Sequence, residues 1–210
     1  SSSAASDVYK RQIEHHAVLH PLEHMAQQGH IKLDFVKVLP SGLPDTVDLK
    51  RLLSSSDEKK MVSLMHVNNE VGAILDLEAV GNLCHEYNAL FHTDTVQSIG
   101  HFDLDFGVLP VDFAVASAHK FHGPKGIGFL YIQKDTGLSG ILLGGSQERG
   151  MRAGTEAVHN IVGMHTAFQL SCERMQADAL HIKDLKSYCL AQLQAALPGT
   201  IFNGASGDIE

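Results

Sequence analysis

Apolar and polar residues along the chain follow the two periods of regular secondary structure. Apolar side chains at intervals of three and four predict helices at residues 20–28, 46–53 and 77–87. Short apolar or alternating runs predict strands at residues 31–38, 61–67, 89–92, 113–116 and 128–132. Residues 158–197 carry a long helical pattern, which is either one helix or two. Because short strands alternate with helices, we expect an α/β fold with a mostly parallel sheet.

Residues 1–12 do not share these patterns. They are polar, rich in small side chains and without periodicity. We interpret them as a tail, a cloning scar or an extension left by sequencing, and we expect them to lie outside the fold.

Polar clusters follow three of the predicted strands directly. Ligands of open α/β sheets bind outside the carboxyl ends of the strands, so three such clusters predict an active site there. The clusters are Asn68-Asn69-Glu70, His92-Thr93-Asp94 and Ser117-Ala118-His119-Lys120.

A lysine among hydroxyl, imidazole and carboxylate groups indicates covalent amine catalysis through a Schiff base. Pyridoxal phosphate requires such a set: a lysine for its aldehyde, an acid to keep its pyridine nitrogen protonated, and donors for its phosphate. Lys120 suits the first role, Asp94 the second, and Ser117 with His119 the third. Lys125 is the competing lysine, but Lys120 is better placed because the strand fixes its direction. The alternative for Asp94 is an ordinary turn or helix cap.

Composition narrows the possible functions further. Sixteen Lys and Arg against 24 Asp and Glu give a net charge of −8 without a basic cluster, which argues against a nucleic-acid partner. No apolar run approaches the roughly 18 residues of a membrane span. Three widely spaced cysteines fit a reducing, cytoplasmic setting. His16, His20 and His24 have the spacing of a helical metal site, but Pro21 should break that register, so we expect no metal.

Five motifs occur along the chain in the order EHHAVLH, MHVNNEVGAI, HTDTVQSIG, SAHKFHGPKGIGFLY and GGSQERGMRAGTE. In this order they closely resemble the cysteine desulfurases of the class V aminotransferase family. The resemblance runs from about Ile13 to at least His165, and it includes the family's spacing of 26 positions between Asp94 and Lys120.

The resemblance implies a role for each matching residue. His15 would stack on the ring of pyridoxal 5'-phosphate and assist proton transfer, and Asn69 would lie near the phenolic oxygen and the substrate. Asp94 would bind the pyridinium nitrogen, and Gln97 the phenolic oxygen. The implied phosphate ligands are Ser117, His119 and, from the partner subunit of a homodimer, Thr155 and less firmly Arg152, while Lys120 would form the Schiff base.

The implied reaction converts L-cysteine to L-alanine while sulfur moves to an enzyme cysteine, for iron–sulfur clusters or other thio-cofactors, with a sulfur-acceptor or scaffold protein as partner. The implied fold is the large domain of the fold-type I pyridoxal enzymes at residues 13–163. A long helix at residues 164–210 would lead into a smaller domain. Relative to the family the chain looks truncated at both ends, and the fragment alone is expected to be inactive. We do not expect the persulfide carrier among Cys84, Cys172 and Cys189.

The same motifs leave other readings open. Selenocysteine lyase is close, because these motifs serve both activities. Another class V enzyme, such as a transaminase or a kynureninase, would keep the lysine and the aspartate. The non-enzymatic alternative is a protein that keeps the fold without turnover, as an inactive remnant or an assembly partner.

Overall fold

The structure, a computed structural model, describes residues 6–11 and 13–204. Its strands and helices alternate along most of the chain. The strands are β1 (Ser6–Arg11), β2 (Ile31–Val36), β3 (Lys60–Ser63), β4 (Ala89–Asp94), β5 (Phe113–Ser117) and β6 (Gly128–Ile132). The α-helices are α1 (His16–Gln27), α2 (Thr46–Leu53), α3 (Leu77–Glu86) and α4 (Val158–Ala196). Short 3-10 turns lie at Ala118–Phe121, called the lysine turn below, and at Gln147–Gly150.

The strands form one mixed, mostly parallel sheet in the order β2-β1-β3-β4-β5-β6. Strands β1 to β5 are parallel to their neighbours, and β6 runs antiparallel to β5. The predicted fold class is confirmed. Because the five parallel strands end at one edge, the three polar clusters come to that edge together.

The first strand corrects the interpretation of residues 1–12. Ser6–Arg11 is β1, which pairs with β2 on one side and with β3 on the other, so its exclusion from the fold was wrong. The buried charges of Asp7 and Lys10 hid the strand pattern beside the apolar Val8 and Tyr9. A strand covered on both faces does not alternate apolar and polar residues. Residues 1–5 and residue 12 lie outside the described residues.

Helix α1 begins four residues earlier than predicted and runs through Pro21. The argument that Pro21 would break the register of His16, His20 and His24 was therefore wrong, since this helix continues to Gln27 although Pro21 lacks the backbone N–H donor. The rings of His16 and His20 lie 4.7 Å apart. Within the ranges described, no group of three or more possible ligands is arranged to hold a metal ion.

Other boundaries moved by a few residues, and two of the moves matter for the site. Strand β4 extends through Asp94 and β5 through Ser117, so both side chains are held by the sheet. Strand β3 ends at Ser63, four residues earlier than predicted. Helix α2 has the predicted bounds, with the Asp45 side chain as its cap. Helix α4 is one continuous helix of 39 residues.

Two apolar clusters hold the sheet and the lysine turn. The larger one packs α2 and α3 against the central strands and includes the buried Leu49, Val80 and Phe91. The smaller one joins the buried Phe121 to Phe168 of α4, with ring centroids 5.7 Å apart. Burial of a phenylalanine side chain contributes about 2–3 kcal/mol, so this contact fixes the turn that carries Lys120. No helix in the described part of the chain is long and apolar enough to cross a membrane.

Candidate active site

A cavity of about 630 Å³ opens at the carboxyl edge of the sheet. Its walls come from the start of α1, from the ends of β3, β4 and β5, and from β1. Seven of the nine residues predicted for the site line it: His15, Asn69, Asp94, Gln97, Ser117, His119 and Lys120. Thr155, Arg152 and the competing lysine, Lys125, do not line it.

The lysine turn follows β5 without an intervening loop. The backbone N–H of Ala118 donates to the carbonyl of Ile127 at 3.0 Å, and the N–H of Gly123 donates to the carbonyl of Ala118 at 2.8 Å. Gly128 pairs with Ser117, where a Cβ atom would meet the carbonyl oxygen of Ala116 at 2.1 Å. Only glycine allows β6 to approach β5 this closely. The backbone of Lys120 is thus fixed, with its half-buried side chain in the cavity wall.

Asp94 supplies a buried carboxylate at the end of β4. The residue is 6% exposed, and its Oδ1 accepts a hydrogen bond from the N–H of Val96 at 2.9 Å. Among the residues that the structure describes, no lysine, arginine or histidine forms an ion pair with it. Burial of a carboxylate is costly without a positive partner. A cationic ring nitrogen bound in the cavity would be such a partner.

Ser117 and His119 form a hydrogen-bonded pair beside the lysine. The Oγ of Ser117 lies 2.8 Å from the Nδ1 of His119, and the imidazole is exposed. A hydroxyl and an imidazole are both donors for an anionic oxygen. This donor pair fits the predicted phosphate end of the cavity.

The wall that carries His15 is tied to the end of β3 by two buried polar side chains. Both carboxylate oxygens of Glu14 accept from the backbone N–H of Met65, at 3.0 and 2.9 Å. The Nδ2 of Asn68 donates to the carbonyl of Ile13 at 2.8 Å. Nδ1 of His15 accepts from the N–H of Ala17 at 3.1 Å, so a neutral ring carries its proton on Nε2.

The sequence analysis placed His92 in a strand-end cluster but assigned no role to it or to Ser63, and both residues line the cavity. Ser63 and His92 are partners in the β3–β4 register, and the Ser63 Oγ lies 2.8 Å from the His92 Nδ1. Burial lowers the pKa of His92, and the charge of Asp94 opposes this shift. The signal was present in the sequence, because His92 and Asp94 are two positions apart and residues at that spacing share a strand face. Glu14 was missed as well, although it begins the first motif.

The residues present fit pyridoxal 5'-phosphate. The cavity places a lysine, a buried carboxylate without a cationic partner, and a serine–histidine pair around one space. These are the groups that the aldehyde, the pyridine nitrogen and the phosphate require. Thr155 is exposed and lies outside this cavity, in the segment 150–156 that also carries the exposed Arg152.

Comparison with known proteins supports the same conclusion. The cysteine desulfurase IscS of Clostridium botulinum is 39% identical over 91% of this chain and 48% of its own length. The IscS of Dictyoglomus turgidum is 36% identical over 97% of this chain and 51% of its own length. The chain thus spans about half the length of the curated relatives it matches.

Structural and family comparisons extend the match to almost the whole chain. A solved structure described as a NifS-like protein aligns with a TM-score of 0.86 at 36% identity, over 92% of this chain and 53% of that one. The family model described as aminotransferase class-V matches residues 5–208. That match includes β1 and thus agrees with the structure on the first strand. The chain therefore belongs to the class-V aminotransferase family, whose members depend on pyridoxal phosphate.

Proposed function

We propose that the intact protein is a cysteine desulfurase, which converts L-cysteine to L-alanine and transfers the sulfur to one of its own cysteines. The observation that carries this proposal is the cavity itself, in which seven residues of four separate motifs meet. Two relatives described as cysteine desulfurases are 39% and 36% identical to this chain over 91% and 97% of its length, which supports the proposal.

In this proposal the residues divide the work by position. Lys120 would hold the cofactor aldehyde, and its amine would later move protons at the substrate. Asp94 would face the ring nitrogen and keep it protonated, because a buried carboxylate favours a cation beside it. Ser117 and His119 would bind the phosphate. The cofactor would supply an electron sink for the charge that develops on the substrate carbon.

His15, Asn69 and Gln97 would complete the cavity walls. Nδ1 of His15 accepts the bond from Ala17, which leaves Nε2 to exchange a proton, and the planar imidazole in the cavity wall would stack on the cofactor ring. Asn69 and Gln97 line the cavity with amide groups, which can both donate to and accept from the phenolic oxygen.

Sulfur transfer needs a thiolate that attacks the substrate sulfur, so that the carbon–sulfur bond breaks and the thiolate becomes a persulfide. None of the cysteines in this stretch is suited to that step. Burial and the nearby Asp112 raise the pKa of Cys84 to about 12, which keeps it a thiol. Cys172 and Cys189 lie on α4 and do not line the cavity. We therefore propose that the sulfur-accepting cysteine lies outside these 210 residues.

We further propose a homodimer in which Thr155, and less firmly Arg152, reach the phosphate of the other subunit. Thr155 is exposed and outside the cavity of its own chain, which leaves it free for such a contact. Ile141 and Leu143 are 89% and 86% exposed beside the bridge between Leu142 and Arg152. Apolar side chains this exposed favour an interface. A cytoplasmic location and a sulfur-acceptor or scaffold protein as a further partner belong to the same proposal.

The test is carried out on the intact gene product with added pyridoxal phosphate. We expect a visible absorbance band, one alanine released per cysteine consumed, and sulfide released in the presence of a reducing thiol. Faster release of selenide from selenocysteine than of sulfide from cysteine would instead assign a selenocysteine lyase. Cofactor binding without turnover of either substrate would leave the non-catalytic alternative.

A further inference from the structure

The backbone carbonyl of Lys120 is held by a side chain from outside its own turn. Nε2 of His101 lies 3.1 Å from that oxygen. A carbonyl oxygen only accepts, so this bond requires a proton on Nε2 of His101. The half-buried imidazole thus contacts the backbone of the lysine and does not line the cavity.

His101 reaches this position because Gly100 permits close packing. Gly100 has a φ of +80°, and a Cβ there would lie 3.1 Å from the Cβ atoms of both Phe121 and Ser171. The Oγ of Ser171 donates to the carbonyl of Phe121 at 3.4 Å. Two consecutive carbonyls of the lysine turn are therefore held by side chains from two other segments.

The segment that carries His101 also carries two residues of the cavity. It starts at Asp94, includes Gln97, and folds as a series of tight turns. The hydroxyl of Thr95 donates to the carbonyl of Val115 at 2.7 Å, which anchors the segment on β5. At its other end, His101 joins the segment to the turn that follows β5.

We propose that His101 is a positioning residue, which sets the distance between the Lys120 amine and the Asp94–Gln97 side of the cavity. This inference rests on the proposed function, because it assigns His101 a role at the same site. With the bond in place, the backbone of Lys120 stays in position when a cofactor binds between Asp94 and Lys120. Without it, the turn keeps its contacts with Ile127 and α4 but loses its bond to the segment that carries Asp94 and Gln97.

The experiment compares His101→Ala, His101→Gln and the matched control His165→Ala in the intact gene product. His165 is an exposed histidine on α4, so its replacement controls for the loss of a histidine that does not bond the Lys120 carbonyl. We expect His101→Ala to weaken pyridoxal phosphate binding about three- to tenfold, which is the effect of one lost hydrogen bond. The pH midpoint of the visible band should shift as well. Glutamine, whose amide can donate to the same carbonyl, should restore both.

A second readout does not need the cofactor. In the apoprotein, reductive methylation followed by peptide mass spectrometry gives the relative reactivity of Lys120, with the exposed Lys125 as internal reference. We expect His101→Ala to change this ratio, and His101→Gln and His165→Ala to leave it at the wild-type value. An unchanged ratio in all three variants would overturn the proposal, as would a ratio that glutamine fails to restore. Failure of the wild-type protein to bind pyridoxal phosphate overturns the proposed function instead, and the methylation ratio still tests His101.

Discussion

The lysine turn and the segment 150–156 both carry family motifs, but the structure supports them differently. The lysine turn is bonded to Ile127 directly before β6, to His101 and to α4, and its Phe121 is fully buried. In the segment 150–156, the N–H of Gly154 donates to the Gln147 side chain, and Arg152 donates to the carbonyl of its own neighbour. Most of that segment is exposed. The first region is thus fixed by contacts within one chain, whereas the second, which is bonded to Leu142 through the N–H of Ala153, is the one that we propose to contact a partner subunit.

The most severe test of this contrast is Lys120→Ala against Lys125→Ala. Loss of Lys120 should abolish the visible cofactor band and reduce alanine release by at least about 10³-fold, because a covalent catalytic group is removed. Lys125 is exposed and lies outside the cavity, so its loss should leave both measurements near wild type. Absorbance spectra and cysteine turnover of the two variants give the answer. A band that persists in Lys120→Ala would contradict the assignment of Lys120 as the residue that binds the cofactor aldehyde.

The sequence was sufficient to predict that the polar clusters at the strand ends meet, and the reason is geometric. Parallel strands bring their carboxyl ends to one edge, so clusters at residues 68–70, 92–94 and 117–120 had to meet once the strands were identified. The exposed Thr155 is the opposite case. The role that we propose for it depends on a second chain, and no pattern within one sequence gives the distance across an interface.

Long-range polar contacts also could not be predicted from the sequence. Glu14 bonds the backbone 51 positions away, and His101 bonds the carbonyl of Lys120 across 19 positions. Neither contact has a period or a local signal. Strand β1 was not predicted for a related reason. Its charged residues Asp7 and Lys10 are buried, but in the sequence they are typical of an exposed segment until the neighbouring strands are known.

Acid should lower the free energy of unfolding through His66, which follows β3, and not through the segment 150–156. Burial lowers the pKa of His66 to about 4, and its Nδ1 has no hydrogen-bond partner among the described residues. The unfolded chain takes up this proton near pH 6.5, so the folded state loses stability as the pH falls from 6.5 towards 4. The full contribution is present above pH 6.5. A depression from 6.5 to about 4 corresponds to about 3 kcal/mol.

The measurement is urea unfolding of the intact protein between pH 7 and pH 4. His66→Phe should flatten the pH dependence, because the aromatic ring keeps the packing against Phe102 and cannot be protonated. The control is His30→Phe, which changes an exposed histidine. If His66→Phe follows the wild-type curve at every pH, another group causes the acid sensitivity.

The segment 150–156 can be tested by mixing subunits. Thr155→Val should weaken pyridoxal phosphate binding about tenfold, the effect of one hydrogen bond to a charged group. When it is mixed with Lys120→Ala, half of the randomly paired dimers combine one subunit of each type. Each mixed dimer contains one site with both groups if Thr155 acts across the interface. Turnover at limiting cofactor should then recover to about a quarter of wild type.

The outcome separates the two possible directions of the contact. If Thr155 acts within its own subunit, every site in a mixed dimer lacks one of the two groups, and mixing recovers no activity. A protein that stays monomeric with cofactor bound, as measured by sedimentation, would remove the proposed role of Thr155 altogether.

The smallest expected effect concerns the attachment of α4 to the lysine turn. Ser171 and Ser187 both lie in α4, but Ser171 bonds the carbonyl of Phe121, whereas Ser187 bonds only the carbonyl of Lys183 in its own helix. Replacement by alanine brings the same gain in helix propensity at both positions. The difference in the free energy of unfolding between the two variants therefore isolates the tertiary bond. Ser171→Ala should be less stable than Ser187→Ala by about 0.5–1 kcal/mol in urea unfolding. Equal stabilities would mean that the apolar contacts of the smaller cluster hold the turn against α4 without help from this hydrogen bond.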